Sequence, residues 1–388
     1  MIKELIEQNK VFLKDTPEVY FSPGRVNLIG EHIDYHGGNV FPAAIELGIY
    51  AFVTKRNDQQ FKVKSLQMND SPIMIQMNDL AYAKKRGWAN FISGMMAACL
   101  DTIPSHGLNI VFYSNLPSSS GLSSSAALEV LVGVILNQTY ALGIPRKQLV
   151  QIAQDVENNY IHVKCGIMDQ FAVGMGKKDH AIFLNTDTLD YELVPFVLKE
   201  YKLMIANTNK SRQLADSKYN ERVNECRAAL EIIQKDYKDV PYLSALELTD
   251  LEAVEHVLKD DLLFRRVRHV VTETKRTNQA VDLLKKGNIK SFGELLNQSH
   301  MSLKNDYEVS CHELDVLVDA FLKEGAIGAR MTGAGFGGCI VAIVKTSFNV
   351  ANEQQIQNIY TSKIHLHTDI YQANPSDGTK KINIEELL

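Results

Sequence analysis

The chain has 388 residues, more than one hydrophobic core usually organises, so two domains with a cleft between them are expected. Hydrophobic residues make up 45% and charged residues 22%, which excludes a disordered chain. The formal net charge of -5 argues against attraction to nucleic acid or an anionic membrane over the whole surface. Cys99, Cys165, Cys226, Cys311 and Cys339 form no CxxC pair and no zinc-ligand spacing, so free thiols in a reducing cytoplasm are expected. The charged segment MIKELIEQNKVFLKD lacks the apolar centre of a signal peptide, and no apolar run reaches the ~18 residues of a membrane span.

In chain order, strands are predicted at Val19 to Phe21, Ile49 to Lys55 and Gln60 to Ser65, the last two joined as a hairpin through a turn at Asn57 and Asp58. Trp88, Phe91, Ile92, Met95, Met96, Cys99 and Leu100 recur at helical spacing and predict an amphipathic helix. Leu108 to Ser114 alternates as a strand, and Ser123 to Leu142 reads as a helix apolar on most sides, hence buried. Leu149, Ile152, Ala153, Val156, Tyr160 and Val163 mark the stripe of another helix, with strands after it at Ala181 to Leu184 and Tyr201 to Asn207. A change of rhythm near residue 190 divides the chain into 1–190 and 191–388. The second part predicts helices around 214–235, 262–286 and 312–324, then strands around 327–332 and 339–344.

The segment NLPSSSGLSSSAA, Asn115 to Ala127, lies between a predicted strand and the buried helix. Small residues let backbone curl round a ligand, and free N–H groups at a helix start favour phosphate. A nucleotide triphosphate suits it; a serine-rich cap on a core helix is the bland alternative. No GxxxxGK[ST] run occurs, so a phosphate loop here is not of the Walker type.

The segment PGRVNLIGEHIDYHGG, Pro23 to Gly38, packs Glu31, His32 and Asp34 behind an apolar run, a set able to read several sugar hydroxyls. A metal site using Glu31, His32, Asp34 and His36, or a structural turn held by side-chain to backbone bonds, are the competing readings. The segment MTGAGFGGC, Met331 to Cys339, is followed by a predicted strand rather than a helix, which argues against a dinucleotide fingerprint and for close backbone approach. The cluster Arg265, Arg266, Arg268 and His269 sits on a predicted amphipathic helix and reads as a solvated face.

Taken together, GRVNLIGEH, LPSSSGLSSSAA and MTGAGFGGC, with CGIMDQF at Cys165 to Phe171 and SKYNERVNEC at Ser217 to Cys226, resemble the GHMP kinase superfamily in order, and its galactokinase branch in particular. The resemblance implies a two-domain α+β GHMP-kinase-like fold with the active site in the interdomain cleft, and an ATP-dependent transfer of phosphate to the anomeric hydroxyl of galactose. By the same resemblance Asp169 would be the catalytic base and Arg25 would lie beside it and the reacting phosphate, where its fixed charge can offset developing negative charge. Glu31, His32, Asp34 and Tyr219 would contact the sugar, with Ile33 and Gly166 lending backbone. Ser119, Ser120, Gly121, Leu122, Ser123, Ser124 and Ser125 would wrap the phosphates of ATP, and Ser65 would touch adenosine. Ser125 and Glu157 would hold Mg2+.

From the residues alone, Glu157 shares a flank with the buried stripe and needs a partner there, either magnesium or a basic side chain. Asp169, Tyr219 and Arg25 read as a helix cap, a helix-face aromatic and an ion-pair partner. Ile33 stands where this family usually has Thr, and His36 where it usually has Asn, and neither is assigned a side-chain contact with sugar. The expected partners are galactose and MgATP, with no nucleic acid, membrane or obligate protein partner. A related kinase acting on N-acetylgalactosamine or mevalonate, and a non-enzymatic sensor of galactose and ATP, are the alternatives. The sugar segment disfavours mevalonate, and an intact LSSSAA with Asp169 disfavours a sensor.

Overall fold

The computed structural model describes residues 1–68, 71–117, 120–210 and 215–383. Its strands are β1 Glu18–Asn27, β2 Asn39–Val40, β3 Pro42–Lys55, β4 Phe61–Ser65, β5 Ile73–Ile75, β6 Leu108–Ser114 and β7 His180–Asn185. The chain continues with β8 Tyr191–Pro195, β9 Tyr201–Asn207, β10 Gly328–Met331, β11 Cys339–Lys345, β12 Asp369–Ala373 and β13 Lys380–Ile382. They form a six-stranded sheet in the order β13-β1-β3-β6-β4-β5, a four-stranded sheet β10-β11-β9-β12 and a three-stranded sheet β2-β7-β8.

β6 matches its predicted span, but the predicted hairpin between the strands ending at Lys55 and Ser65 does not form. β6 lies between them, antiparallel to β3 and parallel to β4. The first five residues of β6 are all buried, so it needs neighbours on both edges and layers on both faces, which a central position supplies. Arg56 closes the 56–60 turn instead, its guanidinium forking onto the Asp58 carboxylate. A parallel pair requires a long crossover, and the segment that carries the helix Ala89–Cys99 provides it.

The helix Ser124–Thr139 is buried without interruption from Ala126 to Leu136, as its apolar surround predicts. Beside it the helix Arg146–Asp155 widens into a π-helical turn, Val156–Tyr160, which inserts Glu157 into the interior. The second half carries helices Ala215–Ile233, Asp261–Lys285 and His312–Lys323 near their predicted places. It also holds Leu251–Leu258, Ile289–Asn305 and Val350–Ile364, which no prediction named. The residue-190 boundary falls in the turn of the β7–β8 hairpin, while β13 returns from the end of the chain to pair with β1.

The basic cluster is a solvated face only in part, since Arg265 and Arg268 are partly exposed. Arg266 and His269 are fully buried, because Arg266 pairs with Glu225 at 2.6 Å and Glu308 at 2.7 Å, while His269 turns towards the 28–38 loop. Buried cations need such partners.

Candidate active site

A cavity of about 460 Å³ lies where β1, the loop after β6, the 28–38 loop, the 331–338 turn and the helices Met168–Met175 and Ala215–Ile233 converge. Its location follows from a defect in β1. Pro23 cannot donate to a ladder, and the β1–β3 register shifts between Pro23 and Gly24. A Cβ on Gly24 would meet the Leu116 side chain at 2.6 Å and the Leu122 carbonyl at 2.8 Å. Glycine therefore lets the serine-rich loop touch the strand, and the Arg25 N–H donates to the Leu122 carbonyl at 3.2 Å.

The Arg25 guanidinium then reaches Asp169, in the first turn of its helix. Nε donates to Oδ1 and Nη2 to Oδ2, each at 2.9 Å, while Nη1 donates to the Gly121 carbonyl at 2.7 Å. Ser123 precedes the helix Ser124–Thr139 in a left-handed conformation, φ 63°, and its hydroxyl donates to Asp169 Oδ2 at 2.6 Å rather than capping the helix. Serine at 123 is thus part of the Asp169 cradle, and the helix start faces the cavity without a side-chain cap.

Glu31 is buried at the back of the same cavity. Its Oε1 accepts from the Gly333 N–H at 2.6 Å and pairs with Arg330 at 3.2 Å, and Oε2 accepts from Asn27 at 2.8 Å. This carboxylate ties the 28–38 loop to the glycine turn, and Gly333, at φ 82°, has room for no Cβ beyond 2.9 Å from the Gly121 carbonyl. The helix Asp261–Lys285 fastens the loop from below: Glu273 accepts from the Gly30 N–H at 3.0 Å and His269 donates to the Glu31 carbonyl at 3.0 Å. Burial holds the His269 imidazole down to about 4, so it stays neutral.

His32 donates through Nε2 to the Ala334 carbonyl at 3.1 Å, which makes Nδ1 the acceptor for the Tyr35 hydroxyl at 2.8 Å. Tyr307 must then donate to Tyr35, at 2.8 Å, and the Cys226 thiol to Tyr307, at 3.3 Å. Burial lowers His32 to about 3, consistent with a neutral ring spent on this chain of contacts. Asp34 has a different character. Its enclosure, with Asp169 and then Glu31 nearby, pushes its carboxyl up to about 7. A Cβ on residue 166 would fall 1.9 Å from Asp34 Oδ2, so the glycine there leaves Asp34 its place. Burial, and after it Asp34, raises the Tyr219 hydroxyl well above its usual range.

On the opposite wall Ser125 Oγ donates to Glu157 Oε1 at 2.9 Å and Gln170 Nε2 donates to Oε2 at 2.6 Å. Burial and the Asp169 charge push Glu157 up to about 7, and Glu129 behind it is held well above the carboxylate range, first by burial and then by Glu157. Among the described residues no cluster of three or more His, Cys, Asp or Glu side chains could hold an ion by itself, which disfavours the metal reading of Glu31, His32, Asp34 and His36. Ser125 and Glu157 present two oxygens beside the loop; magnesium takes the remainder of its shell from phosphate and water in such sites, so the pair fits that ion.

The cavity brings together Arg25, Glu31, His32, Asp34, Ser120, Gly121, Ser123, Ser124, Ser125, Glu157, Gly166, Asp169 and Tyr219 from the sequence-derived set. It is not lined by Ile33, whose carbonyl accepts from the His36 and Gly38 N–H groups, or by Leu122, which packs in the core. Ser65 ends β4, away from the cavity lining, and accepts from the Met68 N–H at 3.4 Å; Ser119 lies outside the described residues. Sequence reasoning missed Arg330, Glu273, His269 and Gln170. The signal for His269 was present in the Arg265 to His269 cluster but concerned charge, whereas its role depends on burial.

Family models match the chain at three places: GHMP kinases N terminal domain at residues 90–177, galactokinase galactose-binding signature at 9–55 and GHMP kinases C terminal at 280–360. With the cleft just described, these define a phosphotransferase of the GHMP kinase superfamily. Galactokinase of Clostridium acetobutylicum is 47% identical over 381 residues, covering 96% of this chain and 97% of that protein. Galactokinase of Fusobacterium nucleatum is 46% identical, covering 98% and 100%. The solved structure of Lactococcus lactis galactokinase complexed with galactose superposes with a TM-score of 0.94 at 40% identity, covering 98% of this chain and 100% of that one. The chain belongs to the galactokinase family. A mevalonate kinase from Methanococcus jannaschii, at TM-score 0.64, 20% identity and coverage of 94% and 100%, shares the fold.

Proposed function

We propose that this cleft transfers the γ-phosphoryl group of MgATP to the anomeric hydroxyl of galactose, giving galactose 1-phosphate and ADP. Family membership makes the chain an ATP-dependent sugar kinase; the observation that supports the assignment of roles is the placement of Asp169, held by Arg25 and Ser123 between the 28–38 loop and the serine-rich loop. The sugar lies against Asp34, Tyr219 and the backbone at Gly166, with Glu31 and His32 shaping the wall. The triphosphate lies along residues 120–125 at the uncapped helix start, where free N–H groups favour anions.

In the transfer, the anomeric oxygen forms its bond to the γ-phosphorus as the bond from that phosphorus to the bridging oxygen of ADP breaks. Asp169 accepts the hydroxyl proton, and Arg25 offsets charge on the phosphoryl oxygens. Ser125 and Glu157 would hold magnesium, which would supply charge neutralisation of the phosphates. Glu157, raised to about 7 by burial and Asp169, would have to be ionised to do so.

Among the described residues no helix is long and apolar enough to cross a membrane. Cys99, Cys165, Cys226 and Cys311 are free thiols, and these support a cytoplasmic location. The test is ADP release across galactose, glucose and N-acetylgalactosamine. A site matched to an axial 4-hydroxyl leaves buried polar groups unpaired against glucose, a mismatch able to cost factors of about 10⁴. Equal turnover of galactose and glucose contradicts the proposal, and preference for the amide sugar reassigns the substrate.

A further inference from the structure

The segment after the π-helical turn, residues 161–166, forms the outer rim of the cavity beside Glu157 and the serine-rich loop, and contributes His162, Val163, Lys164, Cys165 and Gly166 to its lining. Its backbone is held in place. The Val163 N–H donates to the Glu157 carbonyl at 3.0 Å, the Cys165 N–H to Asn158 Oδ1 at 2.9 Å, and Asn158 Nδ2 returns to the Cys165 carbonyl at 3.2 Å. His162 adopts a left-handed conformation, φ 66°, that turns the chain at this rim. Cys165 Sγ stands 3.7 Å from Glu157 Oε2, so the neighbouring Lys164 is rooted one residue from the group that faces the metal position.

Charge gives this lysine its meaning. Glu31, Asp34, Glu157 and Asp169 all line the cavity, and a triphosphate adds negative charge that one magnesium ion offsets only in part. Arg25 serves the reacting phosphoryl group while bonded to Asp169 and the Gly121 carbonyl, which leaves the rest of the triphosphate without it, and His32 is neutral with both ring nitrogens bonded. Among the described residues Lys164 is the lining cation of fixed charge that has neither an ion pair nor a hydrogen bond. An exposed ammonium on a flexible stem, anchored by a rigid backbone at the mouth of an acidic cavity, is suited to meeting phosphate oxygens as they enter.

We propose that Lys164 contacts the phosphate oxygens of the bound nucleotide, making the 161–166 segment a basic rim of the triphosphate site. The assignment rests on the proposed placement of the triphosphate along residues 120–125. Lys164 is a binding residue for the nucleotide, not for the sugar, so its effects separate between the two substrates.

Calorimetric binding of MgADP, of the non-hydrolysable analogue MgAMPPNP and of galactose to the wild type, Lys164→Met and Lys164→Arg tests this. Lys164→Met weakens both nucleotides by about 5- to 10-fold, as expected for a charge-assisted contact discounted for solvent exposure. It leaves galactose affinity unchanged and flattens the salt dependence of nucleotide binding, while Lys164→Arg stays within about twofold of wild type. Wild-type nucleotide affinity in Lys164→Met overturns the proposal, as does an equal loss of galactose affinity, which would mark a role in the fold. A wild-type chain that binds galactose but neither nucleotide overturns the placement of the triphosphate, and the role of Lys164 falls with it.

Discussion

Arg25 holds Asp169 through two parallel contacts, Nε to Oδ1 and Nη2 to Oδ2, both 2.9 Å long. The guanidinium is nearly sealed from solvent, whereas the carboxylate remains about a third exposed towards the cavity. A planar fork fixes the carboxylate's orientation as well as its charge, and Lys can supply only the charge. Arg25→Lys therefore retains more turnover than Arg25→Ala. If the two residues act as a unit, the double variant Arg25→Ala, Asp169→Asn loses less turnover than the product of the single losses. Steady-state kcat across the four chains checks it, and a multiplicative loss removes the coupling.

Glu157→Gln keeps the size of the side chain and removes the charge that faces Ser125. Affinity for MgATP or turnover falls, and raising magnesium partly restores it, because a weakened ligand set can be filled by mass action. A magnesium dependence equal to wild type would refute the metal assignment of Glu157 and Ser125.

The buried acids give the ligand-free chain a pH signature. Asp34 and Glu157, at about 7, and Glu129, raised well above the carboxylate range by burial and by Glu157, bind protons in the folded state that the unfolded chain has released above ~4.5. Each therefore removes stability as pH rises. His32 and His36, at about 3, and His269, at about 4, act oppositely between those values and ~6.5, where the unfolded chain holds the extra proton. Three acids and three histidines offset one another below ~6.5; above it the histidine contribution is complete and the acids alone continue. Melting temperature of the ligand-free protein falls from pH 6.5 to 8, and Asp34→Asn shows a shallower fall. Parallel curves for the two chains contradict the assignment to Asp34.

The hydroxyl chain from Cys226 through Tyr307 and Tyr35 to His32 connects the second-half helices to the wall of the cleft proposed to hold the sugar. Tyr35→Phe strips His32 Nδ1 of its donor, whereas Tyr307→Phe leaves that donor in place and removes only its support. Since a typical hydrogen bond is worth ~1 kcal/mol net, galactose KM should rise about fivefold in Tyr307→Phe and further in Tyr35→Phe, with the KM for MgATP little changed. Equal rises in both KM values would show that the chain supports the fold as a whole rather than the sugar wall.

Local pattern carried much of this molecule in the sequence. The alternation of Leu108 to Ser114 located β6, and the unbroken apolar run after Ser123 located the helix behind the serine-rich loop. Pairing was less legible: the sequence-adjacent strands at Lys55 and Phe61 suggested a hairpin, because nothing local records that β6 inserts between them. The same limit governs the site. Glu157 was visible from its flank on a helical stripe, while Asp169 and Tyr219 depended on family resemblance, since an Asp at a helix start and a Tyr on a helix face look ordinary. Arg330 and Glu273 were invisible, because they act on Glu31 and Gly30 from more than two hundred residues away through buried contacts that exist only after folding.

Asp169→Asn tests the central claim most directly, with galactose-dependent ADP release and galactose binding measured on the same preparation. The amide keeps the shape of the carboxylate but cannot take the anomeric proton as its base. Turnover falls by about 10²- to 10⁴-fold while galactose affinity survives. Near-normal turnover in this variant would contradict Asp169 as the base and with it the mechanism assigned to the cleft.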